Sequence, residues 1–221
     1  MGEINDCGMK TALIVGVTGL IGKQVLQLLL NDSHYSKIIT LTRKPLDIAN
    51  QKIENLVVDF DRLSEYGNSL RADDVFCCLG TTIRIAKTKE AFRKVDFDYP
   101  VEVARLTKNM GATQYLLVSA LGADKHSTIF YNRVKGEVEE AIDQVGFRTV
   151  HIFRPSLLLG KREEERAGEG AATVFFKLFG FLIPAKYKAV DSARVARAMV
   201  AIATSDKAGV FIHESKIIQG Y

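Results

Sequence analysis

The sequence predicts an α/β protein built on a doubly wound parallel sheet, and three observations carry that expectation. Short apolar runs alternate with segments of helical periodicity along most of the 221 residues. Those runs are nearly continuous in apolar character, as strands buried on both faces must be. The first of them ends in a glycine-rich turn that opens a helix, TALIVGVTGLIG from Thr11 to Gly22.

Ala12–Val15 reads as the first strand, and Gly16, Gly19 and Gly22 follow it. In such a turn the first glycine allows the bend, the second lets a phosphate approach, and the third lets helix and strand pack closely. Backbone N–H groups and the positive end of the helix dipole then point at one spot, which suits a pyrophosphate. Helical spacing over Lys23–Leu30 leads to strands at Lys37–Thr42, Asn55–Val58 and Asp74–Cys78. A helix over Tyr99–Met110, a strand at Gln114–Ser119, a helix over Ser127–Gln144 and a strand at Arg148–Phe153 come next. Asp191–Thr204 reads as a final helix. Connections are short and no linker is visible, so residues 1–221 form one domain, with about 155–221 as a small C-terminal substrate region. The charged run Lys161–Arg166 reads as an exposed loop.

Composition excludes several classes. A chain that is 47% hydrophobic and 25% charged folds around a core. Thirty basic against 26 acidic residues leave a net charge of +4, dispersed and too small to argue for nucleic acid. No apolar run approaches the roughly 20 residues of a membrane span, and MGEINDCGMK lacks the apolar centre of a signal peptide. Cys7, Cys77 and Cys78 form neither a disulfide framework nor a metal-ligand spacing. The histidines at 34, 126, 151 and 213 are far apart in sequence, so no zinc site is legible. These features lead to the expectation of a cytoplasmic protein.

The second strand runs into LTRKP. Where an acidic residue would hold the ribose hydroxyls of NAD, Arg43 and Lys44 stand instead. A guanidinium holds a 2′-phosphate through charge-assisted bonds, so the expected cofactor is NADP(H). Asp59, after the third strand, reads either as an acceptor for the adenine amino group with Phe60 beside the ring, or as a helix cap. After the fourth strand come Cys78 to Thr82, CLGTT. Gly80 would let the Leu79–Gly80–Thr81 backbone lie against the middle of the cofactor, with Thr81 and Thr82 as hydroxyl donors.

Ser119 ends the fifth strand at the sheet edge where doubly wound proteins bind ligands. Tyr131 and Lys135 are four apart on a helix and share one face. Together they suit proton transfer to or from an alcohol or carbonyl beside a nicotinamide. Moving a free phenol from near 10 to neutrality takes about 4 kcal/mol. One ammonium about 5 Å away, at an effective dielectric of about 20, supplies about 3 kcal/mol of that. With seven tyrosines, one Tyr-x-x-x-Lys means little alone; its force comes from lying on the helix after a strand that ends in Ser. Ser119 would hydrogen-bond the substrate oxygen. Arg154 followed by Pro155 forces an extended turn at the nicotinamide end. The segment Ala171–Pro184, with Phe175, Phe176, Phe179 and Phe181, reads as an amphipathic core helix or as a lid or partner surface.

GVTGLIG, Arg43, CLGTT, Ser119 with YNRVKGEVE, and FRPSLLLG together resemble the extended or atypical short-chain dehydrogenase/reductases. More narrowly they resemble the Tat-interacting-protein-like oxidoreductases of that superfamily. The likeness runs in order from about Thr11 to Gly160. It implies a Rossmann fold with Gly16, Thr18, Gly19, Leu20 and Ile21 at the pyrophosphate and Arg43 at the 2′-phosphate. It also implies Ser119, Tyr131 and Lys135 as the catalytic group, with Lys135 touching the cofactor as well. Two departures stand out. Where many members carry an Asn that holds a water relay, the nearest candidate here is Asp96. The chain is also shorter than sugar-nucleotide epimerases.

The function expected is therefore an NADP(H)-dependent oxidoreductase acting on a small carbonyl or alcohol. The alternative is a non-catalytic NADPH-binding regulator working through a protein partner. A homodimer or a protein partner is compatible with either.

Overall fold

The computed structural model describes residues 9–156, 158–159, 189–205 and 207–221. The expectations for Cys7, for the Lys161–Arg166 loop and for the phenylalanines of Ala171–Pro184 lie outside these residues. Strands β1 (Lys10–Val15), β2 (Tyr35–Thr42), β3 (Ile53–Val57), β4 (Asp74–Cys77), β5 (Gln114–Val118), β6 (Thr149–Arg154) and β9 (Gly209–Glu214) form one sheet in the order β3-β2-β1-β4-β5-β6-β9. All six neighbouring pairs are parallel. A separate two-residue pairing joins β7 (Leu158–Leu159) to β8 (Val190–Asp191).

The helices cover both faces. They are α1 (Leu20–Asn31), α2 (Ile83–Ala86), α3 (Lys89–Arg93), α4 (Tyr99–Asn109), α5 (Phe130–Gln144), α6 (Ser192–Ala203) and α7 (Ser215–Ile218). A broken stretch of 3-10 turns occupies Phe60–Leu70, and a π turn over Lys94–Asp98 joins α3 to α4. The period of two along β1 sorts the core. Ala12 and Ile14 enter one apolar layer with Val25, Leu29 and Met199 of α1 and α6. Leu13 and Val15 enter the other with Val103, Val138 and Ile142 of α4 and α5.

At the edge where strands begin, a buried carboxylate ties three of them together. Asp74 of β4, fully buried, accepts from the Tyr35 hydroxyl of β2 at 2.6 Å and pairs with Lys10 of β1 at 3.1 Å. Burial, reinforced by that carboxylate, pushes the Tyr35 phenol far above its ordinary range. At the opposite edge every strand ends, and the chain leaves β1 and β4 in opposite directions across the sheet. Parallel α/β sheets bind ligands in the crevice at that switch point.

The seventh strand, β9, was not expected from the sequence. It places His213 against β6, where His151 Nδ1 and His213 Nε2 lie 3.0 Å apart. Two histidines remote in sequence are thus partners in space. Burial, then the neighbouring His213, pushes His151 down to about 4, and burial also lowers His213. At neutral pH both are uncharged in the fold, and both take up a proton at lower pH than an unfolded histidine, whose ordinary value is about 6.5. The unfolded chain therefore binds more protons as pH falls from about 6.5 toward 4, and stability falls with it, by at most about 1.4 kcal/mol per pH unit for each proton. Urea denaturation across this window should show that slope in the native protein and a shallower one in His151→Leu; equal slopes would refute the assignment.

Candidate functional site

The glycine turn is built by close approach. Gly16 has φ +80°, and a Cβ on it would stand 2.5 Å from the Cys78 carbonyl oxygen. A Cβ on Gly22 would stand 2.2 Å from the Gly16 carbonyl oxygen. Only glycines let the start of α1, the turn and the end of β4 meet this closely. Gly19 is the N-cap of α1, no side chain caps it, and the first turn holds no acidic residue. The N–H groups of Leu20, Ile21 and Gly22 thus have no side-chain cap and suit an anion. Thr18 is exposed and Leu20 half-buried, whereas the Ile21 side chain lies in the core, leaving its backbone for a ligand. The residues present fit a dinucleotide pyrophosphate.

Beyond β2, Arg43 and Lys44 are exposed, and neither has an ion-pair partner among the described residues. The strand end that carries them is held by Asn55 of β3. Its amide nitrogen donates to Thr42 Oγ1 at 2.8 Å and Thr40 Oγ1 at 3.0 Å, and its oxygen accepts from Leu46 N at 2.9 Å. Asp59 acts as a cap, accepting from Asp61 N at 3.0 Å. Phe60 departs from the expectation of a ring beside adenine. It is buried, 5.1 Å from the ring of Tyr99, because the apolar layer under the 3-10 turns takes it.

After β4 the loop runs through half-buried Leu79 and exposed Gly80. Thr81 donates its backbone N–H to Asp96 Oδ2 at 2.8 Å. The Thr82 hydroxyl oxygen accepts from Ile85 N and caps α2. Asp96 is 1% exposed on the π turn, and its Oδ1 lies 2.7 Å from Lys135 Nζ, itself 5% exposed. Desolvation pulls the Lys135 ammonium down, but Asp96 and then Tyr131 outweigh it, so its pKa lies above the ordinary lysine value.

Tyr131, Lys135 and Glu139 recur at four-residue spacing along α5 and form one stripe. The Tyr131 ring is half-buried, 5.6 Å from that of Phe92. The helix is pressed onto the loop after β5, since a Cβ on Gly136 would stand 2.1 Å from Lys125 N. Ser119 differs from expectation. Its hydroxyl donates to Glu139, which also accepts from Arg154 Nε at 3.0 Å. Glu139 is eight residues from Tyr131, about 12 Å along the axis. The proton meant for a substrate oxygen goes into this buried network instead. Pro155 is buried, and its carbonyl accepts from Leu121 N at 2.9 Å, joining the loops after β6 and β5. The turn after β1, the loops after β4, β5 and β6, and the Tyr131 end of α5 therefore share one edge of the sheet.

Residues 12–166 match the NAD dependent epimerase/dehydratase family. The chain belongs to that family. It is 40% identical to rat protein HTATIP2 over 171 residues, 76% of this chain and 70% of the relative. It is 32% identical to protein FMP52, mitochondrial, of Debaryomyces hansenii over 88% of both chains. Among solved structures, UDP-glucose 4-epimerase of Thermotoga maritima with UDP-glucose superposes at TM-score 0.71 with 15% identity, covering 92% of this chain and 76% of that one. MoeE5 with UDP-glucose and NAD superposes equally well at 14% identity, over 91% and 74%. These likenesses show the fold, a Rossmann-type parallel sheet. Family membership and the glycine turn agree on a nicotinamide dinucleotide as cofactor.

The relatives also correct one expectation. Several fungal members of the epimerase/dehydratase family that align with this chain are named as mitochondrial proteins, which overturns the cytoplasmic assignment. A free-thiol composition reads the same in any reducing compartment, so sequence chemistry had no means of choosing.

Sequence reasoning passed over Glu139. A Glu five residues before a helix end carries no local signal; only its Arg154 and Ser119 partners, from two other elements, mark it. Glu139→Ala would leave the partly buried Arg154 guanidinium without its counter-charge, at a cost of about 2–4 kcal/mol. Urea denaturation should show a loss of that size, with Ser119→Ala costing less than half as much.

Proposed function

We propose that this family member is an NADP(H)-dependent oxidoreductase, with a small carbonyl or alcohol as its other reactant. The observation that supports the reading is the shared edge: the glycine turn, Arg43 and Lys44, which have no ion-pair partner among the described residues, and the Tyr131 end of α5 all lie where the strands end. The nicotinamide, when bound, supplies or accepts the hydride. Tyr131 gives a proton to the substrate oxygen or takes one from it. Lys135, charged and fixed four residues along the same helix, stabilises the phenolate side of that exchange. Arg43, with Lys44 beside it, holds the 2′-phosphate, and the N–H groups at the start of α1 hold the pyrophosphate. Leu79, Gly80 and Thr81 line the middle of the cofactor. In this reading Ser119 supports α5 through Glu139 in place of hydrogen-bonding the substrate oxygen. The names of the fungal relatives favour a mitochondrial location for this chain as well.

Two experiments test the two halves of the proposal. Arg43→Ala should weaken NADPH binding about 10–100-fold and leave NADH binding unchanged, since a charge-assisted bond contributes about 1.5–3 kcal/mol. Calorimetric titration with both nucleotides reads the ratio, and an unaltered ratio would sink the cofactor choice. Tyr131→Phe should lower turnover at least about a hundredfold on any carbonyl the native protein reduces, within the range set by loss of a general acid, while NADPH affinity stays within about twofold. Equal turnover by the two proteins would remove Tyr131 from the chemistry.

A further inference from the structure

One carboxylate in the site takes no part in the proton transfer described above, yet it touches both halves of the crevice. Asp96 is 1% exposed. Its Oδ2 accepts from the Thr81 amide at 2.8 Å. Its Oδ1 has no well-aligned hydrogen-bond donor and faces the Lys135 ammonium at 2.7 Å. The same oxygen lies 3.7 Å from where a Gly80 Cβ would stand. Asp96 therefore lies between the loop assigned to the cofactor and the lysine assigned to catalysis.

Neither charge can be buried there alone. An ammonium taken out of water without a counter-ion sheds its proton, and an isolated carboxylate takes one up. The other ionisable groups against Lys135 are the Tyr131 phenol on its own helix and the Cys77 thiol at the end of β4. Both are neutral in their ordinary forms, and burial pushes the Cys77 thiol up, further from its anion. Arg93 and Lys94, adjacent in sequence to the π turn, are held by Glu137 and Asp61. Among the described residues, Asp96 is thus the carboxylate in contact with Lys135. The π turn at Lys94–Asp98, closed by Tyr99 N donating to Lys94 O, sets its place between α3 and α4. An Asn here would keep the shape and lose the charge.

We infer that Asp96 is a positioning residue for the Tyr131–Lys135 pair: one oxygen holds Lys135 as an ammonium in a dry site while the other fixes the Thr81 amide of the cofactor loop. The inference rests on the reading of Tyr131 and Lys135 given above. It replaces a water relay held by a neutral amide with a direct ion pair. It also couples the two halves of the site, because a displacement of Gly80–Thr81 moves the counter-ion of the lysine.

The test uses ligand-free protein and needs no substrate. The side-chain nitrogen resonance of Lys135, assigned by its loss in Lys135→Gln, is followed by NMR as pH rises. In the native protein it should keep its proton past the ordinary lysine value. In Asp96→Asn the midpoint should fall by at least about one pH unit, a tenfold loss of proton affinity. Exchange of the Thr81 amide should quicken more in Asp96→Ala than in Asp96→Asn, which still offers an acceptor oxygen. A variant that is merely less stable, with the Lys135 midpoint unmoved, would overturn the inference. Should Asp96→Asn fail to fold, the native signal decides, since a Lys135 that loses its proton below the ordinary lysine value contradicts the ion pair. A carbonyl panel with no turnover would defeat the proposed reaction and leave this result standing.

Discussion

The site depends on a contact that only missing side chains allow. The Gly16 carbonyl oxygen occupies the space a Cβ on Gly22 would need, and the Cys78 carbonyl does the same to Gly16. Helix α1, the turn after β1 and the end of β4 are therefore set in one piece, and a chain of contacts extends from it. The loop beyond Cys78 is held at Thr81 by Asp96, Asp96 holds Lys135, and Lys135 lies one turn from Tyr131. The glycine turn and the Tyr131 end of α5 are thus linked through the loop after β4, the π turn and α5 itself. Close-packed interiors transmit displacement along such paths because they have no slack to absorb it.

Helix α5 is the ruler of the reactive half. Its face toward the sheet carries Tyr131, Lys135 and Glu139 at intervals of one turn, and two of the three are buried charges with partners from other elements. Lys135 meets Asp96 of the π turn, and Glu139 meets Arg154 of β6 and the Ser119 hydroxyl. Buried ion pairs contribute little net stability against apolar replacements, but mispairing them is costly. Here that penalty selects the helix's rotation and register, since a slip of one residue would bury both charges unpartnered. Gly136, pressed on the Asp124–Lys125 backbone, sets the depth.

Much of the fold could be read in advance because periodicity is local. Six strands and four helices were placed within a few residues, and the glycine turn marked the correct edge. Strand β9 escaped because it is an edge strand. GVFIHE leaves Val210 and Ile212 half-exposed and puts a histidine where an apolar run would have been recognised. Phe60 was set beside a ligand on the strength of its neighbour Asp59, but the apolar layer beneath the 3-10 turns outcompetes a surface role for a ring of that size. Ser119 was placed at the right strand end, yet its rotamer answers to Glu139, twenty residues away. The cellular compartment is not encoded in core chemistry, and the names of the fungal relatives run against the cytoplasmic expectation drawn from composition.

By itself the sequence determined what depends on neighbours along the chain: a parallel α/β sheet, a glycine turn suited to a dinucleotide, basic residues after the second strand, and a Tyr and Lys on one helix face. Tertiary structure decided the long-range pairings of buried polar groups. It joined Asp96 to Lys135, Glu139 to Arg154, and His151 to His213 across 39, 15 and 62 positions. The physical reason is that helix and strand propensities act over a few residues. The electrostatic cost of burial is settled only by whichever groups the finished fold brings within about 3–4 Å of one another.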